Sequence, residues 1–187
     1  MDRISKAFEV IKRQDFLPAE EQNRAEFDMP VPIGFGQTNS QPTTVELMLE
    51  WLEPEPGNKV LDVGSGSGWT TALLAQIVGK KGFVYAVEII PELVELGRKN
   101  CQKYHLDNVK FYQAGEKYGL PKHEPFDRIL VSAAANQLPQ ELVKQLAPYG
   151  RLIIPVRNDI FVIDKAQDGT ITSSAHPGFM FVPLIQG

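Results

Sequence analysis

"VLDVGSGSGWTTALLA", residues 60–75, decides the fold. Val60, Leu61 and Val63 suit a short strand buried on both faces. Gly64, Gly66 and Gly68 follow in alternation, and from Thr70 to Val78 the apolar pattern turns helical. A strand, a glycine turn and a helix in that order place the turn at the carboxyl end of a parallel sheet, where open α/β folds bind ligands. Glycines there let the backbone approach a ligand closely.

Three nucleotide ligands compete for such a loop. A P-loop needs Gly-Lys-Ser/Thr, but Gly68 is followed by Trp69. A dinucleotide fingerprint needs its third glycine three places after the second, and counted from Gly66 that place is Trp69, whose indole obstructs close helix–strand packing. Asp62, two residues before the first glycine, would repel a pyrophosphate and suits a cationic group. S-adenosylmethionine carries an ammonium and a sulfonium where a dinucleotide carries phosphates, so the sign of the charge favours it. Glu88 closes the next predicted strand, twenty residues beyond Gly68. A carboxylate at that strand end can accept from both ribose hydroxyls.

Outward from this loop the strand–helix alternation continues. Strands are expected at "FVYAVEI", "VKFYQA", "FDRILVSAA" and "GRLIIPV", and helices over Pro91–His105 and Pro139–Leu146. The pattern gives a Rossmann-like, three-layer α/β/α fold with a mostly parallel sheet. The tail adds antiparallel strands: a hairpin around Asp168-Gly169 and a last strand at "FMFVPLI". Before the core, residues 4–11 form an amphipathic helix and Pro42 opens another. Between them, residues 14–44 hold four prolines and two glycines and read as a long functional loop. One domain is expected over 1–187: residues 1–58 as N-terminal helix and substrate/cofactor loops, 59–156 as nucleoside-binding core, 157–187 as C-terminal β region.

Composition narrows the function classes. Hydrophobic residues make up 43% of the 187, enough for a core, and the net charge of −4 argues against a nucleic-acid partner. Cys101 is the single cysteine, so no internal disulfide forms, and with three scattered histidines no metal site is expected. No signal peptide and no apolar run of membrane-spanning length is evident, so a cytoplasmic protein with no membrane partner is expected. Oligomeric state leaves no signal. His105, His123 and His176 read as surface or capping residues, and Trp51 and Trp69 as packing residues.

Three further stretches carry a resemblance. "MPVPIGFGQTNSQPTTVELMLEWL", "FDRILVSAAANQLPQELVKQLAPYGRLIIPV" and "FMFVPLI" resemble segments of the protein-L-isoaspartate O-methyltransferases, within the class I S-adenosylmethionine-dependent methyltransferases. The resemblance covers about Phe16 to Gln186. It implies methylation of isoaspartyl carboxyls in damaged proteins or peptides, with S-adenosylmethionine as donor and S-adenosylhomocysteine as product. On that resemblance Gln37, Thr38 and Ser40 lie against the donor and the acceptor carboxylate, with Ser40 as the active-site hydroxyl and Thr38 beside it. Asp62, Gly64, Ser65, Gly66, Gly68, Glu88 and Ile89 hold the donor. Pro32, Ile33 and Gly34 shape a peptide groove, and Ala133, Ala134 and Val182 help form the acceptor side. Two departures stand out. Ala114-Gly115-Glu116 replaces the family's Gly-Asp-Gly, so Gly115 and Glu116 are the expected adenine contacts. Asn39 replaces a hydrophobic residue between Thr38 and Ser40.

A carboxylate acceptor is already ionised at neutral pH and needs no base, which agrees with the lack of an acid–base constellation. Positioning and desolvation can carry the rate. Rival readings are a methyltransferase acting on another acceptor and a non-catalytic S-adenosylmethionine-binding module. An NAD-binding protein is disfavoured by Trp69 and Asp62.

Overall fold

The computed structural model describes residues 2–186. In chain order it contains α1 (Arg3–Val10), short 3-10 helices at Arg13–Phe16 and Ala19–Arg24, β1 (Val31–Gly34), β2 (Gln37–Asn39), α2 (Pro42–Leu52), β3 (Lys59–Val63), α3 (Trp69–Val78), β4 (Phe83–Glu88), α4 (Pro91–Gln102), β5 (Val109–Gln113), a 3-10 turn at Pro121–His123, β6 (Phe126–Val131), α5 (Gln140–Lys144), β7 (Leu146–Val156), β8 (Asp159–Lys165) and β9 (Ile171–Pro177).

Seven strands form one sheet in the order β5-β4-β3-β6-β7-β8-β9. From β5 to β7 the pairing is parallel; β8 and β9 add antiparallel. The chain leaves β3 towards β4 and β5, then returns to lay β6 on the other side of β3. The carboxyl ends of β3 and β6 therefore diverge, which opens the crevice where such sheets take ligands. Ser132 N–H closes the gap's floor by donating to Val63 O at 2.9 Å.

Burial of both sheet faces explains the near-continuous apolar strands. Val60, Val84, Ala86, Leu130 and Ile153 pack against α1–α4 on one face. Leu61, Val87, Ile129, Leu152 and Ile163 face α5 and its flanking loops on the other. α3 has nine of its ten residues buried, so it is a core helix rather than an amphipathic one.

Three expectations need correction. Residues 14–44 are not without regular structure: they hold the 3-10 helices and an antiparallel β1–β2 hairpin. "FMFVPLI" is not a strand. It makes a single parallel bridge, Ala134 with Pro183, and crosses the carboxyl end of the sheet instead of extending its edge. Pro183 lacks the N–H a ladder needs, and β9 already forms the edge. The helix expected over Pro139–Leu146 shortens to α5, because Leu146 already pairs with Phe126 in β7. Among the described residues no helix is long and apolar enough to cross a membrane.

Candidate active site

The glycine loop is fixed from below. Gly64 N–H and Ser65 N–H both donate to Val87 O, at 2.8 and 3.1 Å, tying the loop to β4. Gly68 has φ +91°, and a Cβ there would lie 3.0 Å from Gly97 Cα, so loop and α4 meet glycine to glycine. The Cys101 thiol on α4 backs the same point, donating weakly to Gly68 O at 3.6 Å. Burial pushes that thiol up to about 12, aided by the nearby Asp62 charge, so it stays protonated.

Glu88 ends β4 at the wall of a cleft lined by Gly64, Gly66, Trp69, Glu88, Ile89 and Ser40 among others. Its Oε2 accepts from Gly66 N–H at 2.8 Å, and its Oε1 from Ile89 and Ile90 N–H at 2.8 and 3.0 Å. Three amides hold the carboxylate in place and leave acceptor capacity on Oε2.

Asp62 lies beneath the cleft and is not one of its walls. Its side chain is fully buried, and Oδ2 accepts from Thr71 Oγ1 at 2.6 Å and Thr70 Oγ1 at 3.1 Å. Burial pushes its pKa up to about 6; the threonine hydrogen bonds offset part of that rise, and the Glu88 charge adds to it. The structure places Asp62 behind the cleft wall: the threonines of the first turn of α3 take its carboxylate, and Thr70 reaches the cleft.

Asp62 Oδ1, Ser65 Oγ and Trp69 Nε1 are buried without a hydrogen-bond partner. Leaving such groups unmade costs about 1–3 kcal/mol each. Ser65 and Trp69 line the cleft, so an indole N–H and a hydroxyl without partners lie in its wall. That donor and acceptor set fits the amino-acid end of S-adenosylmethionine, and Glu88 fits its ribose.

A second, open cleft adjoins the first, lined by Pro30, Gln41, Thr44 and the segment Gly178–Val182. Thr38, Ser40, Ser132 and Val182 line both clefts, so the two meet at these four residues. The C-terminal wall is pinned at two points: Ala134 N–H donates to Val182 O, and Leu184 N–H to Ala134 O, both at 2.8 Å.

Most residues expected at the site are brought together there: Ile33, Gln37, Thr38, Ser40, Gly64, Ser65, Gly66, Glu88, Ile89, Ala133 and Val182 all line the first cleft. Others are not. Pro32 and Gly34 are exposed, because the β1 alternation turns Val31 and Ile33 inwards. Gly115 and Glu116 are exposed and outside both clefts. β5 stops at Gln113 and Ala114 N–H bonds to Glu88 O at 2.8 Å, so Ala114 is the cleft wall and the chain turns away after it. Gly68 backs the loop, and Ala134 acts through its two backbone bonds. Asn39 lines the first cleft as well, and its side chain turns inwards to Arg13 and Ser67. Sequence reasoning missed Ser132 and Phe179, and it missed Arg13, for which a lone arginine in a loop gives no periodic signal.

An acid at the end of the second core strand, under a glycine loop at the switch point of a Rossmann-like sheet, marks a nucleoside-binding site of the kind that S-adenosylmethionine-dependent methyltransferases carry. The family profile "Protein-L-isoaspartate(D-aspartate) O-methyltransferase" matches residues 1–187, and the chain belongs to that family. Similar curated proteins carry the name protein-L-isoaspartate O-methyltransferase. The one from Methanopyrus kandleri is 42% identical, covering 98% of this chain and 84% of its own. The one from Aeropyrum pernix is 45% identical, covering 98% and 72%. Among solved structures, a protein-L-isoaspartate O-methyltransferase superposes with TM-score 0.89 at 28% identity, over 98% of this chain and 61% of the other. A Plasmodium falciparum protein of that description, in complex with S-adenosyl-L-homocysteine, gives 0.88 at 27% identity, over 100% and 92%.

Proposed function

We propose that this chain transfers a methyl group from S-adenosylmethionine to the carboxylate of isoaspartyl residues in proteins or peptides, a repair reaction. The observation that carries the reading is the junction of the donor cleft and a second, open cleft at Thr38, Ser40, Ser132 and Val182, in a chain of this family. When bound, S-adenosylmethionine supplies a methyl on a cationic sulfonium, whose passage to an anionic oxygen cancels both charges.

The chain's own residues bind, orient and exclude water. Glu88 takes the ribose hydroxyls. Ser65, Trp69 and Gly66 hold the amino-acid end, and Asp62 acts on its cation from behind Thr70. Ser40 orients the acceptor carboxylate by hydrogen bonding, with Thr38 at its side. No residue removes a proton, because the acceptor has none to lose at neutral pH. Residues within 59–156 carry most of the donor cleft, while the segments that reach it from before and after that core line its acceptor side and keep water out.

The test pairs a radiolabelled methyl donor with two peptides that differ only in isoaspartate against aspartate. Base-labile label on the isoaspartyl peptide alone is expected. Transfer to both peptides, or to neither despite donor binding, overturns the reading.

A further inference from the structure

We propose that Arg13 and Asn39 are positioning residues that lock the Ser40 loop onto the donor-binding glycine loop; the inference rests on the proposed function. Arg13 is 6% exposed and lies in the N-terminal 3-10 turn, far from either cleft in sequence. Its Nε donates to Asn39 Oδ1 at 2.8 Å. Nη1 donates to the carbonyls of Ala25 and Phe27 at 3.2 and 2.9 Å. Nη2 donates to those of Met29, Asn39 and Ser40 at 2.7, 3.2 and 3.0 Å. The guanidinium also sits 5.4 Å from the centre of the Trp69 indole.

Among the described residues no carboxylate hydrogen-bonds this buried cation; carbonyl oxygens solvate it, and burial lowers its pKa to about 10, partly offset by the charge of Asp28. Burying a charge in this way is costly. Apolar anchors for the same loop already exist in Leu17, Ala25, Val31 and Ile33, which cluster with Leu93. What the guanidinium adds is direction. Its fork of fixed donors gathers five carbonyls and one amide oxygen, and the last carbonyl belongs to Ser40 itself.

The other end of the device is Asn39. While Oδ1 accepts from Arg13, Nδ2 faces Ser67 Oγ at 3.4 Å. Ser67 lines the donor cleft, and its carbonyl accepts from Asn100 Nδ2 on α4 at 3.0 Å. A polar chain therefore runs from Arg13 through Asn39 and Ser67 to Asn100. It joins the residue that orients the acceptor to the loop that holds the donor, so their separation is set by hydrogen-bond lengths. Misplacing reactants by about 1 Å can cost about 100-fold in rate.

The experiment uses the full chain with Arg13→Lys and Asn39→Ala. Lysine keeps the charge but lacks the fork; alanine leaves the guanidinium and cuts the link to Ser67. Three readouts are taken: kcat and KM with the isoaspartyl peptide, Kd for S-adenosylhomocysteine by calorimetry, and hydrogen exchange of residues 31–41 without ligand. Both variants are expected to lose about 10- to 100-fold in kcat, to keep the donor Kd, and to exchange faster over 31–41. If Arg13→Lys does not fold, Asn39→Ala decides alone. A folded Asn39→Ala with unchanged kcat, or one in which kcat and donor affinity fall together, overturns the inference while the function stands. Absence of transfer by the parent chain overturns both.

Discussion

Replacing Asp62 by asparagine tests the electrostatics of the site through stability. The buried carboxyl is raised from 3.8 to about 6, so the folded state holds its proton more tightly than the unfolded chain does. Ionisation is therefore penalised on folding. The penalty is absent below about pH 4, grows between about pH 4 and 6, and is complete above, where it reaches about 3 kcal/mol. An asparagine side chain cannot ionise and escapes it. The substitution has a cost of its own: if the amide oxygen keeps the Thr70 and Thr71 hydroxyls, its NH2 lies where Oδ1 now has no partner. That cost does not vary with pH. The quantity to measure is thus the change in the stability difference between variant and parent from about pH 3.5 to about pH 8, by urea unfolding followed through Trp51 and Trp69 fluorescence. The variant should gain about 3 kcal/mol on the parent across this range. A difference that is flat with pH, or that moves in the parent's favour as pH rises, would refute the account of Asp62 as a desolvated acid.

On the proposed function the same group also acts on ligand binding. S-adenosylmethionine should bind more weakly as pH falls through about 6, and calorimetry of Asp62→Asn should show that dependence lost. Glu88→Ala removes the acceptor of three backbone amides as well as the proposed ribose contact. At about 1.5–3 kcal/mol per hydrogen bond to a charged group, donor affinity should fall by at least about tenfold, read as Kd for S-adenosylhomocysteine. Ser40→Ala should lower kcat on the isoaspartyl peptide with donor Kd nearly intact; equal losses in both would show that Ser40 belongs to the donor site. Gly68→Ala places a Cβ at φ +91° and 3.0 Å from Gly97 Cα. Thermal unfolding should show a loss of about 1–3 kcal/mol.

The core of this fold was legible because its signals are local. Val60–Val63, the three glycines and the run from Thr70 specify strand, turn and helix within 20 residues, and Glu88 follows at a spacing set by one helix and one strand. The parallel sheet and the antiparallel tail followed from the same patterns. What escaped depends on contacts distant in sequence. Nothing in "FMFVPLI" says that Ala134, about 50 residues earlier, holds Val182 and Leu184 and so draws the segment across the sheet. Glu116 looked like a stand-in for an adenine ligand because alignment counts positions, whereas β5 ends at Gln113 and the chain turns outwards. Asn39 read as an intrusion next to Ser40, yet its partner is a buried arginine 26 residues away. Periodicity reports which face of an element is apolar; it carries no information about which buried polar group answers another.

The protonated, enclosed Cys101 has a practical corollary. Maleimides and haloacetamides require an accessible thiolate, and the protein's single native sulfhydryl offers neither access nor charge. A cysteine introduced in place of Met180, which is 88% exposed on the rim of the second cleft, would then be the one attachment point for a fluorophore. A dye there would report peptide docking in real time without any need to strip the native cysteine first.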